Sequence, residues 1–288
     1  MKLVAVVATL GRDKELTVLF DSLRLQSRPV DEIVVVDQNH DNRVKDVLET
    51  YRDLPITHVH DPDLVGVNRS RNHGWQHATG DVFFFPDDDC WYPAETCETV
   101  LAHIRTHKAD IVSGRAAAMD GRTINGKFDD QPGWVTRTSA WFSQIEWIFF
   151  ISRPALEATG GFDEAIGPGS GTNWGANEVQ DLSLAAMTQG FHQYYDPNLI
   201  AHHEEIKLDN VSAGDFKRLA KYARGFGYVL GKHSYGYKSL LWWSLRPVAG
   251  ALVSLTRANP KHALLQLRMS SERFLGYFEG RRHLEEQK

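Results

Sequence analysis

Five short apolar runs, "KLVAVVAT", "DEIVVVDQNHD", "ITHVH", "DVFFFPDDD" and "ADIVSG", succeed one another in the first 114 residues. Helix-like stretches at 14–26, 42–51, 68–77 and 94–107 separate them. The runs are rich in β-branched and aromatic residues and are too short to be helices. Strands alternating with helices predict βαβ units and a mainly parallel sheet. In such sheets ligands sit at the carboxyl ends of the strands. That rule singles out Thr9 to Arg12, Asp37 to Asp41, His60 to Asp63 and Asp87 to Asp89, all polar.

Further along, the pattern loosens from Gly114 to Trp147, with scattered glycines and tryptophans that suggest loops or a β-ribbon. "EWIFFISRPALEATGGFDE" then predicts a strand, a helix begun near Pro154 and a stop at Gly160-Gly161. "GPGSGTNWGANE" is a Gly-rich loop, "EVQDLSLAAMTQG" a helix and "FHQYYDPN" one more strand. After His203 the texture changes. Phe216, Leu219, Ala220, Ala223, Gly227 and Leu230 recur at helical spacing, and "SLLWWSLRPVAGALVSLTR" is apolar but interrupted at Arg246-Pro247. The chain is therefore divided into an α/β body, 1–205, and a basic, amphipathic helical extension, 206–288.

The 288 residues are 42% hydrophobic and 24% charged, as in a globular protein with a sizeable core. No run of 18 or more apolar residues predicts a spanning helix. The opening apolar run is short and meets Arg12, Asp13 and Lys14, so it reads as a first buried strand rather than a leader. Cys90 and Cys97 form no CxxC pair, and a reducing cytoplasm is the expected compartment. The net charge of −5 divides unevenly: residues 206–288 hold 15 Lys+Arg against 6 Asp+Glu. Such a tail suggests an anionic partner surface, such as the inner face of a membrane, although a solvated helix face accounts for the charge equally well.

In "FFFPDDDCWY" a very apolar strand runs straight into Asp87, Asp88 and Asp89. Adjacent carboxylates repel and raise one another's pKa unless a cation sits among them. A divalent ion such as Mg²⁺, held by one or two carboxylates together with substrate phosphates, answers the difficulty. The competing reading is a solvated acidic turn capping a helix that starts near Pro93.

Four blocks, "VAVVATLGR", "IVVVDQNHD", "GVNRSRNHGWQHATGDVFFFPDDDCWY" and "GPGSGTNWGANEVQDLSLAAMTQGF", resemble family 2 glycosyltransferases in order and spacing over roughly residues 3–205. "KYARGFGYVLGKH" resembles a segment of members that build bacterial surface polysaccharides. The resemblance implies a GT-A fold, Rossmann-like, with a mainly parallel central sheet flanked by helices and a C-terminal helical extension. It also implies a nucleotide diphosphate sugar donor (UDP favoured, GDP or dTDP open), an Mg²⁺ or Mn²⁺ ion and inversion at the anomeric carbon. The acceptor would be a saccharide or a lipid-linked hydroxyl, with no nucleic-acid partner.

Matched residue by residue, the resemblance puts Thr9, Arg12, Asp37 and Asp61 beside the nucleotide. "QNHD" follows Asp37 where the commoner pattern has a second acid and "GS". Arg71 and Asn72 match an Arg-Asn pair, with Arg71 facing the nucleotide, as suits its fixed fork of donors. Asp87 and Asp88 would lie at the donor, with Asp89, Asp87 and His203 on the metal. Of the pair His202-His203, His203 matches better. Direct inversion needs a group to take the acceptor's proton. In "ANEVQD" that group is Glu178 or Asp181, on one helix face at i, i+3, with Glu178 preferred. Trp174 and Gly175 in the Gly-rich loop are candidates for the acceptor side.

Two other classes compete. A sugar nucleotidyltransferase needs a Gly-rich, basic loop after the first strand, and "ATLGRDKE" has one glycine. A regulatory nucleotide-sugar or metal-binding module needs no base, which the Glu178 region offers. The helices after 206 could hold a membrane, pack on the body or form a dimer contact.

Overall fold

The structure, a computed structural model, describes residues 1–205 and 212–286. By contact the chain separates into two compact units, Met1–Phe162 with Leu182–Ile206, and Asp163–Asp181 with Lys207–Lys288. The sequence division at 205/206 abuts residues 206–211, which lie outside the described residues. By contact, 163–181 also groups with the C-terminal helices.

The first unit is built on an eight-stranded sheet of order β3-β2-β1-β4-β7-β5-β8-β6. Its strands are β1 (Leu3–Thr9), β2 (Glu32–Asp37), β3 (Ile56–His60), β4 (Val82–Phe84), β5 (Ile111–Ala117), β6 (Gly133–Trp134), β7 (Phe149–Ser152) and β8 (Gln193–His202). β1 pairs in parallel with β2 and β4, β2 with β3, and β5 with β8, while β7 runs antiparallel between β4 and β5. The mainly parallel α/β sheet expected from the alternating pattern is therefore present. Between the strands lie α1 (Lys14–Arg24), α2 (Arg43–Leu48), α3 (Val67–His77), α4 (Thr96–His107) and α5 (Arg153–Thr159). The loose region after Gly114 holds the two-residue β6 and short 3₁₀ turns.

Strand continuity follows from burial. Leu3 to Val7, Ile33 to Val36 and Phe83 to Phe85 are all buried, as unbroken apolar runs in a sheet covered on both faces should be. Phe84 stacks on Phe150 with ring centroids 4.6 Å apart and meets Tyr92 edge-on. The ladder of β4 ends at Phe84, just before Pro86, which has no N–H to donate. The chain nevertheless continues alongside β1, because Asp87 still bridges to Ala8. The three acids are thus carried to the carboxyl end of β1.

The second unit contains α7 (Ala213–Lys232), α8 (Tyr237–Thr256) and α9 (Pro260–Glu286), together with the first turn of α6 (Glu178–Thr188). Here small residues bring α7 and α9 together. A Cβ on Gly227 or Gly231 of α7 would fall 2.1 Å from the carbonyl oxygens of Arg273 and Tyr277. Reciprocally, one on Gly276 or Gly280 of α9 would fall 2.0 or 2.1 Å from those of Arg224 and Tyr228. The two i, i+4 glycine pairs let the backbones touch. Helix α8 passes through Pro247, where the apolar run is interrupted. Proline removes the bond to the carbonyl four residues back, here that of Trp243, and the Arg273 guanidinium donates to this carbonyl instead.

Candidate functional site

The strand ends of the first unit bring most of the predicted nucleotide and metal residues together. Thr9, last in β1, donates from its hydroxyl to Asp88 at 2.8 Å. Arg12, in the following loop, donates to Asp88 at 2.6 Å and also contacts Asp89. Arg71, buried on α3, reaches Asp87 at 2.9 Å and lies over the Phe162 ring. His203, just past β8, meets Asp89 at 3.0 Å. The three carboxylates are thus faced by two guanidiniums and an imidazole, and charges this far from water persist only with such partners.

These neighbours set the proton affinities. Burial drives Asp88 up to about 6, against the pull of Arg12 and Thr9. Burial also works to raise Asp89, but His203 and Arg12 outweigh it and hold that carboxyl below its ordinary value. For His203 burial lowers the pKa, yet the bonds to Asp89 and to the Glu204 carbonyl prevail and bring it up to about 9. Its ring is oriented by Trp147, stacked on it at 4.5 Å. The neighbouring His202 is turned elsewhere: its Nδ1 lies 2.9 Å from the Ala117 carbonyl and its ring stacks on Trp91.

Asp87, Asp89 and His203 each offer a ligand atom, and the three atoms lie within 4.8 Å of one another. Two carboxylate oxygens and one imidazole form a donor set suited to a small divalent ion, and the imidazole inclines it towards Mn²⁺ over Mg²⁺. The residues therefore fit the group. The protonated His203 and the Arg12 guanidinium balance the charge that such an ion would otherwise neutralise.

The remaining nucleotide candidates lie along the same edge. Asp37, last in β2 and buried, accepts from the backbone and side-chain amides of Asn39 and meets His58 of β3 at 3.0 Å. The Asp61 backbone N–H donates to the Asp37 carbonyl at 2.9 Å, so the two chain segments stay in register past the ladder. Asn72 works within the fold. It holds both the N–H and the carbonyl of Phe162, each at 2.9 Å. A Cβ on Gly161 would fall 2.5 Å from its Oδ1.

The candidate bases belong to the second unit. Glu178 is the first residue of α6 and is buried. Asp181, one turn on, is equally buried, and both its oxygens are engaged, one by Lys232 Nζ at 2.8 Å and one by His233 Nε2 at 2.7 Å. Lys232 also binds Asp163 at 2.7 Å. Trp174 stacks on Tyr228 at 3.6 Å and donates its indole N–H to Glu279 at 2.8 Å. The Gly175 N–H donates to the Lys221 carbonyl at 3.1 Å.

Sequence reasoning missed several partners: His58 on Asp37, Trp147 on His203, and Lys232 with His233 on Asp181. Only the last left a trace, since "GKH" closes a segment already singled out.

The family described as "Glycosyl transferase family 2" matches residues 4–159. An uncharacterized glycosyltransferase of Haemophilus influenzae is 35% identical over 97 residues, 33% of this chain and 32% of that protein. The Staphylococcus aureus poly(ribitol-phosphate) beta-N-acetylglucosaminyltransferase TarS is 28% identical over 129 residues, 43% of this chain and 22% of that protein. The aligned parts therefore span a third or less of these relatives. Among solved structures, S. aureus TarS 1–349 with UDP-GlcNAc superposes with a TM-score of 0.58 at 19% identity, over 100% of this chain and 91% of that one. The mannosyltransferase PcManGT of Pyrobaculum calidifontis, with GDP-Man and Mn²⁺, gives 0.64 at 16% identity, over 96% and 87%. These likenesses establish the GT-A type of fold.

Proposed function

The chain belongs to glycosyl transferase family 2, and from that premise we propose that it moves a sugar from a nucleoside diphosphate donor to a saccharide or lipid-linked hydroxyl, with inversion. The observation that carries the reading is the convergence of Asp87, Asp89 and His203, with Arg12 and Arg71 on the same carboxylates. Bound there, Mg²⁺ or Mn²⁺ would supply positive charge to the departing diphosphate. TarS and PcManGT, with UDP-GlcNAc and GDP-Man in their structures, support a nucleotide-sugar donor. We take UDP-sugars as the first choice, with GDP- and dTDP-sugars as the comparison.

The chain's own groups have distinct tasks in this proposal. Thr9, Asp37 and Asp61 line the nucleotide edge. Arg71 presents a planar fork of donors to the donor's anionic oxygens. Asp88, turned onto Thr9 and Arg12, positions the arginine. Asp89, Asp87 and His203 would hold the ion, His203 through a deprotonated ring nitrogen.

For the base we choose Glu178. Taking a proton on Asp181 would disrupt its ion pair with Lys232 and its contact with His233, an unfavourable exchange for a buried carboxylate. Trp174 and Gly175, held within the second unit, would shape the acceptor side through the loop that carries them.

A donor screen that measures nucleoside diphosphate release with Mn²⁺, with and without lipid-linked acceptors, tests the reading. One donor should turn over, EDTA should abolish the release, and Glu178→Gln should bind that donor yet fail to turn it over. Full activity in EDTA would remove the metal from the scheme. Normal turnover by Glu178→Gln would remove the base.

A further inference from the structure

In helix α8 the usual distribution of side chains is reversed. Its buried positions are Leu240, Ser244, Ala251 and Ser254. Near its middle and its C-terminal end, polar side chains of α9 meet it. The Ser270 hydroxyl donates to the Ser244 carbonyl at 2.8 Å, and Ser254 meets Gln266 and His262 at 3.1 and 3.0 Å. Most of the large apolar residues point outward instead. Leu241, Trp242, Leu245, Leu252, Val253 and Leu255 are all exposed, Trp242 at 64% and Leu252 at 63%. They fall at spacings of 3, 4 and 7, one stripe along a helix about 30 Å long. Leu264 and Leu267 extend the exposed apolar surface onto α9.

Water disfavours this arrangement, because each outward leucine forgoes burial and the inner face gains little. Lipid reverses the balance: helices there pack through small residues and hydroxyl bonds and turn their bulk to the acyl chains. The glycine-on-backbone contacts between α7 and α9 are of the same kind. Charge identifies the surface. Between Asp215 and Glu272 the chain has ten Lys and Arg and no Asp or Glu. Lys238, Arg246, Arg257, Lys261 and Arg268 on and beside the stripe are exposed. The Arg246 guanidinium lies over the rings of Trp242 and Trp243, 5.7 and 5.2 Å from their centroids, an aromatic and a cation together as at a headgroup boundary. Among the described residues no helix is long and apolar enough to cross a bilayer, so the element lies in the interface plane.

We propose that the outward face of α8 and the start of α9 is a docking surface for an anionic lipid bilayer, entered by Leu241, Trp242, Leu245 and Leu252 and flanked by Arg246 and Arg257. The inference is independent of the transfer reaction, since vesicle binding is measured without donor or acceptor.

The test uses the full chain with vesicles of phosphatidylglycerol and phosphatidylcholine. Leu252→Cys carrying an environment-sensitive fluorophore reports the face directly, because Cys90 and Cys97 are buried and escape labelling. Flotation should show binding to anionic vesicles that weakens with salt, and the label should brighten and be quenched by brominated acyl chains. Leu241→Ser/Leu252→Ser and Arg246→Gln/Arg257→Gln should each weaken binding by roughly tenfold or more, with unchanged far-ultraviolet circular dichroism. Absence of binding at low salt overturns the proposal. Binding without any change in the label overturns it too, since the contact would then lie elsewhere. Label brightening that follows protein concentration without vesicles, alongside a dimer by light scattering, assigns the face to a second copy and also overturns it.

Discussion

The two units differ in how their own elements meet. The first encloses Phe20, Phe83, Phe84, Phe85, Phe149 and Phe150 completely, around the unbroken apolar runs Leu3 to Val7, Ile33 to Val36 and Phe83 to Phe85. The second also buries Tyr228 and Tyr277, but it presses glycine against backbone and serine against serine, and leaves Trp242, Leu252 and Leu264 outside. A covered sheet gains stability from apolar area removed from water, so it selects bulk. Helices in direct backbone contact gain it from closeness and bonded polar groups, so they select against bulk. The units also differ in their use of charge. The first gathers Asp87, Asp88 and Asp89 beside groups a ligand could displace, whereas the second locks Asp163 and Asp181 onto Lys232 and His233.

The largest effect expected concerns the purpose of the two acidic clusters. Asp89→Asn should lower turnover by roughly a hundred- to a thousandfold, with its denaturation midpoint close to that of the parent. A large loss of stability with activity retained would make the first cluster structural, like the second.

Next in size is the response of the bulky core. Phe84→Ala should cost about 3–5 kcal/mol in urea denaturation, through lost burial and the cavity left beside Phe150. A loss below about 1 kcal/mol would mean that the sheet unit does not depend on bulk as described.

Asp181→Asn tests the locked cluster and should cost about 3 kcal/mol by leaving the Lys232 ammonium short of a carboxylate. Burial works to raise the Asp181 carboxyl, but Lys232 and His233 overcome it and hold the group below its usual range. A depressed carboxyl adds stability above its unfolded value near pH ~4 and loses it as pH falls through the folded value. The parent should therefore lose stability more steeply below about pH 4 than the variant. Parallel pH profiles would deny Asp181 its structural role.

The smallest change probes closeness. Gly276→Ala adds one methyl group against the Arg224 carbonyl and should cost about 1–3 kcal/mol, although alanine favours helix. A stabilised variant would show that the α7–α9 contact yields readily, and the contrast between the units would narrow.

The strands and the acids that follow them could be read from sequence because both are local properties. A β-branched run declares a buried strand, and Asp37 and Asp87 to Asp89 stand at strand ends wherever the sheet is assembled. His203 was placed beside Asp89 by a matched pattern, and the structure adds Trp147 as the ring that orients it. The pairing of Asp181 with Lys232 and His233, 51 and 52 residues away, had no local signature. Only packing selects which distant cation meets a carboxylate. The sequence marked the α8 stretch as apolar and interrupted at Arg246-Pro247, but not which of its faces is covered. A hydrophobic pattern gives the faces of a helix relative to one another. Which face is covered depends on the neighbour, and here Gln266 and Ser270 of α9 bond to the small face, at Ser254 and at the Ser244 carbonyl, while the large one stays exposed.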